Sequence, residues 1–384
     1  MEQITEFCSG CRACEKSCPK DAIEMIYDKE GFLIPSINND KCIDCNICVK
    51  KCPQNNTMYK NEKQIIYGGV LKDKEYLQKS SSGGAFIAFA KIILDLKGVV
   101  YGCAFNNEFK AEHIRVDSYS ELYKLQGSKY VQSNTGNTFC DVKRDILDGK
   151  FVLYSGTPCQ IAGLYSFLGK NLNNLFTIEI LCHGVPSPKL FNEYIKWREY
   201  KIGDKITGYN FRYKEKGYGG RYLIKFKSDK CTKKLPLMLD PYGDAFLSGK
   251  TFREVCYTCK YANSKRVSDI TIGDFWGFEN HYSSIETKGG VSLIIINSEL
   301  GKSLFEKCKS NLYYIESSME IAKKYNEGLK KPVKRPNERK DVYDGYKEKK
   351  YFSNKLKVGI KFKLRVSSLI PITIKEKVKK IQRR

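Results

Sequence analysis

Phe151-Val-Leu-Tyr-Ser-Gly-Thr-Pro-Cys-Gln-Ile-Ala-Gly-Leu-Tyr-Ser-Phe-Leu168, followed by Leu175-Phe-Thr-Ile-Glu-Ile-Leu-Cys-His-Gly184, reads as one strand–helix–strand unit. Residues 151–155 are an apolar, β-prone run that turns at Gly156-Thr157-Pro158. From Gln160 the apolar residues recur at helical spacing, and residues 175–181 form a second apolar strand. Strands joined by such a crossover lie parallel and close together. Their carboxyl ends, where open α/β sheets place ligands, carry Cys159 and Cys182-His183. Cys159 also falls near a helix N-terminus, where the macrodipole favours a thiolate.

Further along, Cys256-Tyr-Thr-Cys259 adds a pair on a short turn. Cys159, Cys182, Cys256 and Cys259 together suffice for a 4Fe-4S cluster or for a zinc ion. Spacing alone leaves both open, and leaves open that the four share no site. Cys103, Cys140, Cys231 and Cys308 stand alone and read as buried apolar thiols.

The N-terminal cysteines are ordered differently. Cys8-x2-Cys11-x2-Cys14-x3-Cys18-Pro19 recurs as Cys42-x2-Cys45-x2-Cys48-x3-Cys52-Pro53. Both match the bacterial ferredoxin run, in which three close thiolates hold one 4Fe-4S cluster and the fourth crosses to the other. That rule assigns Cys8, Cys11, Cys14 and Cys52 to one cluster and Cys42, Cys45, Cys48 and Cys18 to the second. Zinc knuckles would more naturally use separated Cys-x2-Cys pairs. The segment from Asp21 to Ile34 is expected to form a helix and a hairpin between the halves.

The 384 residues include 16 cysteines and only three histidines, His113, His183 and His281, which argues against multi-histidine metal and active sites. No apolar run reaches the roughly 18 residues needed to cross a bilayer; residues 85–96 and 291–296 are too short. No secretion signal is read at the start, and a thiol-rich chain without one is expected in a reducing cytoplasm. The net charge of +24 is concentrated at the end: residues 330–384 carry 20 Lys/Arg against 5 acids. The basicity is therefore poor evidence for nucleic-acid binding by the body, and no nucleic-acid partner is expected. The expected organisation is an α+β bacterial-ferredoxin-like domain over 1–60, an α/β flavoprotein-type domain over 61–310, and a basic C-terminal extension over 311–384. Residues 53–63 read as the linker.

Three further segments suit a flavin or nucleotide. Ser80-Ser-Ser-Gly-Gly84 precedes an apolar helix-like stretch and presents backbone N–H groups to a phosphate. Gln126-Gly-Ser-Lys-Tyr-Val-Gln132 combines a cation with an aromatic, and Asp269-Ile-Thr-Ile-Gly-Asp274-Phe-Trp-Gly277 reads as a strand ending in a turn. No G-x-G-x-x-G follows the first strands, so a standard Rossmann NAD site is not supported.

Taken in order, Ser81–Gly84, the 127–133 segment, Gly156-Thr-Pro-Cys-Gln-Ile-Ala-Gly-Leu164, Leu181-Cys-His-Gly-Val-Pro-Ser187, the Cys256/Cys259 pair and residues 268–277 resemble the coenzyme F420 hydrogenase/dehydrogenase beta-subunit family. The resemblance covers roughly residues 65–310 and implies FAD beside a 4Fe-4S cluster, with Cys159, Cys182, Cys256 and Cys259 as its ligands. The ferredoxin in front and the Lys-rich tail behind look most like bacterial members found with polysaccharide biosynthesis. Asn326, Pro332, Pro336 and Arg339 fit the tail pattern of that branch. The deazaflavin-reducing subunits are shorter and lack this tail, so the family name is not read as the activity.

The resulting expectation is an iron–sulfur flavoprotein oxidoreductase. Electrons from a ferredoxin-like donor pass through two N-terminal clusters and a third cluster to FAD, and on to a small organic hydride acceptor. Its cofactor-binding candidates are Ser82, Gly83, Gly84, Lys129, Gly156, Thr157 and Asp274, and His183 is the catalytic candidate. The competing expectation is an electron relay with no substrate site. Residues 355–384 hold 11 Lys/Arg and one acid, with apolar residues on one face, which suits peripheral binding to an anionic membrane surface.

Overall fold

The structure is a computed structural model describing residues 7–60, 63–169, 172–215, 223–286, 288–348, 350–354 and 356. The expected membrane-binding tail falls almost wholly outside the described residues.

The N-terminal region is a pair of cysteine loops around a hairpin. Helix α1 (Ala13–Lys16) follows the first loop, strands β1 (Ile23–Tyr27) and β2 (Leu33–Ile37) pair antiparallel, and α2 (Ile47–Lys50) follows the second loop. The helix expected from Asp21 is instead strand β1. Ile23 and Met25 are buried while Glu24 and Ile26 are exposed, a period of two that only a strand satisfies. The two loops share a backbone device. Gly10 and Asp44, then Arg12 and Asn46, occupy equivalent positions and all have positive φ, from 49° to 71°. Such alternation turns successive N–H groups inward to form a concave anion site. Accordingly, Gly10 N–H donates to Cys8 Sγ at 3.2 Å and Ala22 N–H to Cys18 Sγ at 3.3 Å.

The body is built on an eight-stranded mixed sheet. Its elements in chain order are β3 (Ile65–Leu71), α3 (Lys74–Lys79), α4 (Ala85–Asp95), β4 (Val99–Phe105), β5 (Ala111–Val116), α5 (Thr138–Leu147), β6 (Val152–Gly156), α6 (Pro158–Leu168) and β7 (Leu175–Ile180). After α7 (Pro188–Ile202), strands β8 (Ile206–Tyr213), β9 (Leu223–Ser228) and β10 (Thr232–Pro236) form a separate antiparallel sheet. Then come α8 (Pro241–Leu247), β11 (Ile270–Asp274), β12 (Ser292–Ile296), α9 (Glu299–Cys308), β13 (Leu312–Ser317), α10 (Met319–Tyr325) and α11 (Tyr351–Asn354). The order across the main sheet is β13-β3-β12-β11-β7-β6-β4-β5. β4, β6, β7 and β11 run parallel, and the outer pairs are antiparallel.

The strand–helix–strand reading of residues 151–181 matches β6–α6–β7, whose strands pair in parallel. Helix α6 starts at Pro158, with Thr157 as N-cap and Gln160 closing a capping box. Apolar side chains of α4 and α9 cover one sheet face, and those of α5 and α6 cover the other. The main sheet continues past residue 310, because β13 pairs with β3 along its length. Tyr343, Tyr346, Tyr351 and Phe352 pack beyond that, into the core of the small sheet. Of the four solitary cysteines, Cys308 is buried, Cys103 and Cys231 are half-buried, and Cys140 is exposed. Cys140 departs from the reading because α5 buries Phe139, Val142 and Ile146, leaving it on the outer face. Among the described residues no helix is long and apolar enough to cross a membrane.

Candidate iron–sulfur and cofactor site

Cys18, Cys42, Cys45 and Cys48 line one pocket with Pro19, Ile23, Ile37 and Ile43. This is the crossed set expected from the repeat, and Cys45 is exposed at its rim. The other set is deeper. Burial pushes Cys14 up to about 12, and the neighbouring charges of Cys8 and Cys52 act on it in the same direction. Burial also raises Cys11, which feels Cys14, Cys8 and, across the domain contact, Cys159.

The four body cysteines meet as well. Cys159 at the start of α6, Cys182 after β7, Cys256 on the 254–258 turn and Cys259 just after it line one largely apolar cavity of about 290 Å³. Ser9 and Gln54 of the ferredoxin-like region reach the same cavity. Burial raises Cys159 to about 11 and Cys256 to about 12, and also pushes the Cys182 thiol up. Buried thiols set side by side cannot all ionise unless a cation joins them, and iron supplies one. Among the described residues no three Cys, His, Asp or Glu side chains converge on one ion. Four cysteine thiols around one cavity are a donor set that suits an iron–sulfur cluster or a zinc ion.

Thr157, one of the cofactor-binding candidates, lies in this part of the site. Its hydroxyl is 3.2 Å from Cys159 Sγ and 3.1 Å from Gln160 Oε1. Gly156 adjoins Gln160 and His113, where a side chain would meet both. His183 stands on the cavity wall with one side open to solvent, edge-on to Phe246 and Phe252, and desolvation by these neighbours lowers its pKa.

Ser82 and Asp274 come together elsewhere on the same sheet edge, through Lys214 and Arg212, while Lys129 lies nearer Cys103 and His113. Ser128 Oγ donates to Ser81 Oγ at 2.8 Å, joining the 80–84 loop to the 127–133 segment. Lys214 Nζ donates to Ser82 O at 2.6 Å and to Leu77 O, and Arg212 forms a two-pronged pair with Asp274 at 2.7 and 2.8 Å. Tyr130 sits within reach of Arg212, Asp274 and Ser128. Lys129 donates to the carbonyls of Lys124 and Gln126. Desolvation lowers Lys129 to about 8 and Lys214 to about 7, and Arg212 pushes Lys214 in the same direction. Arg212 and Lys214 thus share the single carboxylate of Asp274, a cationic surplus suited to an anion such as a phosphate.

The glycines of the 80–84 loop are explained by packing. A Cβ on Gly83 would lie 2.2 Å from Gly69 O, and Gly84 adopts φ +82° as the N-cap of α4. Arg212, Lys214 and His113 escaped sequence reasoning because each sits inside or beside an ordinary strand pattern. His113 is buried: its Nε2–H donates to Ser155 O at 2.9 Å, and Ser133 Oγ–H donates to its Nδ1 at 3.1 Å. Desolvation lowers it to about 4.

The family model for the C terminus of the coenzyme F420 hydrogenase/dehydrogenase beta subunit matches residues 149–321. The 4Fe-4S dicluster domain model matches residues 7–56. No curated protein matches the chain. Among solved structures, a chain of the F420-reducing NiFe hydrogenase complex from Methanosarcina barkeri is similar, with 17% identity and a TM-score of 0.45. That similarity covers 70% of this chain and 89% of the other.

Proposed function

We propose an iron–sulfur flavin-dependent oxidoreductase that passes electrons inward through three clusters, for a chain that joins a 4Fe-4S dicluster domain to the C-terminal domain of the coenzyme F420 hydrogenase/dehydrogenase beta-subunit family. The observation that carries the reading is the contact of Cys11 with the helix that begins at Cys159, which sets the inner ferredoxin-type thiols beside the body thiols. The order of transfer follows from adjacency. A reduced donor protein reaches the exposed rim at Cys45, Cys14 of the inner set neighbours Cys48 of the outer set, and Cys11 neighbours Cys159 of the body set.

Bound FAD would supply the conversion of single electrons into hydride transfer. Ser82, Lys129, Lys214 and the Arg212–Asp274 pair are the residues that would hold it, the lysines facing its pyrophosphate. His183, beside Cys182, is the residue we assign to proton delivery on the cavity wall. The tail residues Asn326, Pro332, Pro336 and Arg339 favour an organic acceptor from polysaccharide biosynthesis. The basic end of the chain suits docking at an anionic membrane face.

Anaerobically purified full-length protein tests this. It should hold roughly twelve irons and twelve acid-labile sulfides, and about one FAD per chain. Changing Cys256 and Cys259 together to Ser should remove about four irons. Eight irons with stoichiometric zinc would defeat the third cluster. Full iron without flavin, after reconstitution with FAD, would leave an electron relay.

A further inference from the structure

Four arginines are buried among the described residues: Arg212, Arg253, Arg266 and Arg339, from 8% to 1% exposed. Three of them pair with a carboxylate. Arg212 takes Asp274, Arg266 takes Glu179, and Arg339 takes Glu30. Arg253, 5% exposed, takes none. Its neighbour Glu254 turns outward to Arg335.

All of Arg253's acceptors are neutral. Its Nε donates to Cys8 O at 2.5 Å, one terminal nitrogen to Gln132 Oε1 at 3.0 Å, and the other to Leu33 O at 2.9 Å. The guanidinium also stands over the Phe32 ring, 5.3 Å from its centroid. These bonds fix its direction but leave its charge uncompensated. A buried cation without an anion costs several kcal/mol in order of magnitude, so a chain retains one only where an anion arrives.

Its surroundings supply that anion. Arg253 lines the cavity of Cys159, Cys182, Cys256 and Cys259, and it grips the backbone of Cys8 from the inner ferredoxin-type set. Its charge also acts on the thiols of Cys159 and Cys256, favouring their ionised forms. A four-iron cube held by four thiolates is net negative in both redox states, and more so when reduced.

We infer that Arg253 is a positioning residue shared by two clusters: its charge balances the body cluster and raises that cluster's reduction potential, while its fork fixes the inner cluster's loop alongside. The inference rests on the three-cluster reading above. Reduction adds negative charge next to a fixed cation in a water-poor cavity, which favours the reduced state.

The test is an anaerobic redox titration of the full-length protein followed by electron paramagnetic resonance. The body cluster's signal is identified by its loss when Cys256 and Cys259 are both changed to Ser. Arg253→Met should move that cluster to lower potential, leave the outer cluster unmoved, and retain the wild-type iron content. Arg253→Lys should titrate close to wild type. An unmoved Arg253→Met, or an Arg253→Lys shifted equally far, overturns the inference.

Should Arg253→Met fail to load iron, Arg253→Gln takes its place, since an amide still donates to the Cys8 carbonyl. Iron loss in both neutral variants but not in Arg253→Lys supports the charge requirement. Loss in all three assigns the residue to packing alone and overturns it. A wild-type protein holding only about eight irons would instead defeat the three-cluster reading itself.

Discussion

Gly163, in the middle of α6, lies flat against Cys11: a Cβ added there would stand 2.9 Å from both the Cβ and the Sγ of that cysteine. Glycine normally weakens a helix interior by about 1 kcal/mol relative to alanine. Here its missing side chain lets the ferredoxin-type loop close on the helix that starts at Cys159. Gly163→Ala should therefore destabilise, by roughly 1–3 kcal/mol for overpacking, despite its better helix propensity. Denaturant unfolding of the anaerobic protein measures this, and iron analysis should show loss from the inner N-terminal set first. A variant as stable as wild type with full iron would show that the contact can yield.

A second expectation concerns the floor of the sheet edge. Glu179 is fully buried on β7 and accepts from Arg266, from the backbone N–H groups of Val267 and Ser268, and from Thr271 Oγ1. Arg266 also donates to the carbonyls of Tyr261 and Asn263, so the pair ties the Cys256/Cys259 segment to the sheet. Arg266→Met should cost about 3–5 kcal/mol, because it strands a buried carboxylate. Glu179→Gln should cost a comparable amount, since it leaves Arg266 buried without its carboxylate. Equal midpoints of chemical unfolding for wild type and Arg266→Met would contradict the assignment.

The contrast between the two sites explains what could be read from the chain. Metal-ligating cysteines are legible because iron chemistry restricts both residue type and spacing. Residues 151–181 are legible because a buried parallel strand and its crossover helix leave distinct apolar periods. The 21–26 segment is ambiguous: six residues of mixed polarity satisfy either period, and pairing with β2 decides it. The cationic site draws Ser82, Lys214, Arg212 and Asp274 from distant segments, and Arg212 and Lys214 belong to the small sheet's side of the molecule. No local pattern announces such a meeting. Arg253 carried a fainter signal, three residues before Cys256, but its lack of a carboxylate is a fact of packing.

Acid should expose His113. Its pKa falls from the ordinary 6.5 to about 4 because the fold desolvates the ring. Between those values the unfolded chain binds a proton that the native state refuses. Stability therefore falls as pH drops from about 6.5 to 4, and this residue contributes no pH dependence above that window. The full loss amounts to at most about 3 kcal/mol. His113→Gln should lower the melting temperature at pH 7 through its lost hydrogen bonds, yet flatten the decline toward pH 4.5. Parallel declines in both proteins would remove His113 as the acid-sensitive group.

The cationic site should bind its anion in a pH-dependent way with the opposite slope. Lys214 and Lys129 are lowered to about 7 and about 8, both mainly by desolvation. Without a bound anion the unfolded chain holds their protons up to about 10.5, so stability contributed by these groups rises with pH between 7 and 10.5. An anion reverses the preference, since only the protonated lysines attract it. Affinity should therefore be greatest below about pH 7 and weaken by about tenfold or more as both lysines discharge toward pH 9. Fluorescence titration of FAD, with inorganic pyrophosphate as competitor, measures this at a series of pH values and constant ionic strength. Lys214→Arg keeps its charge throughout and should lose much of the slope while still binding. Lys214→Met should bind weakly even at pH 6.5, with pyrophosphate losing its power to compete. A dissociation constant that stays level from pH 6.5 to 9 in the wild-type protein would place the phosphate groups away from Lys214 and Lys129.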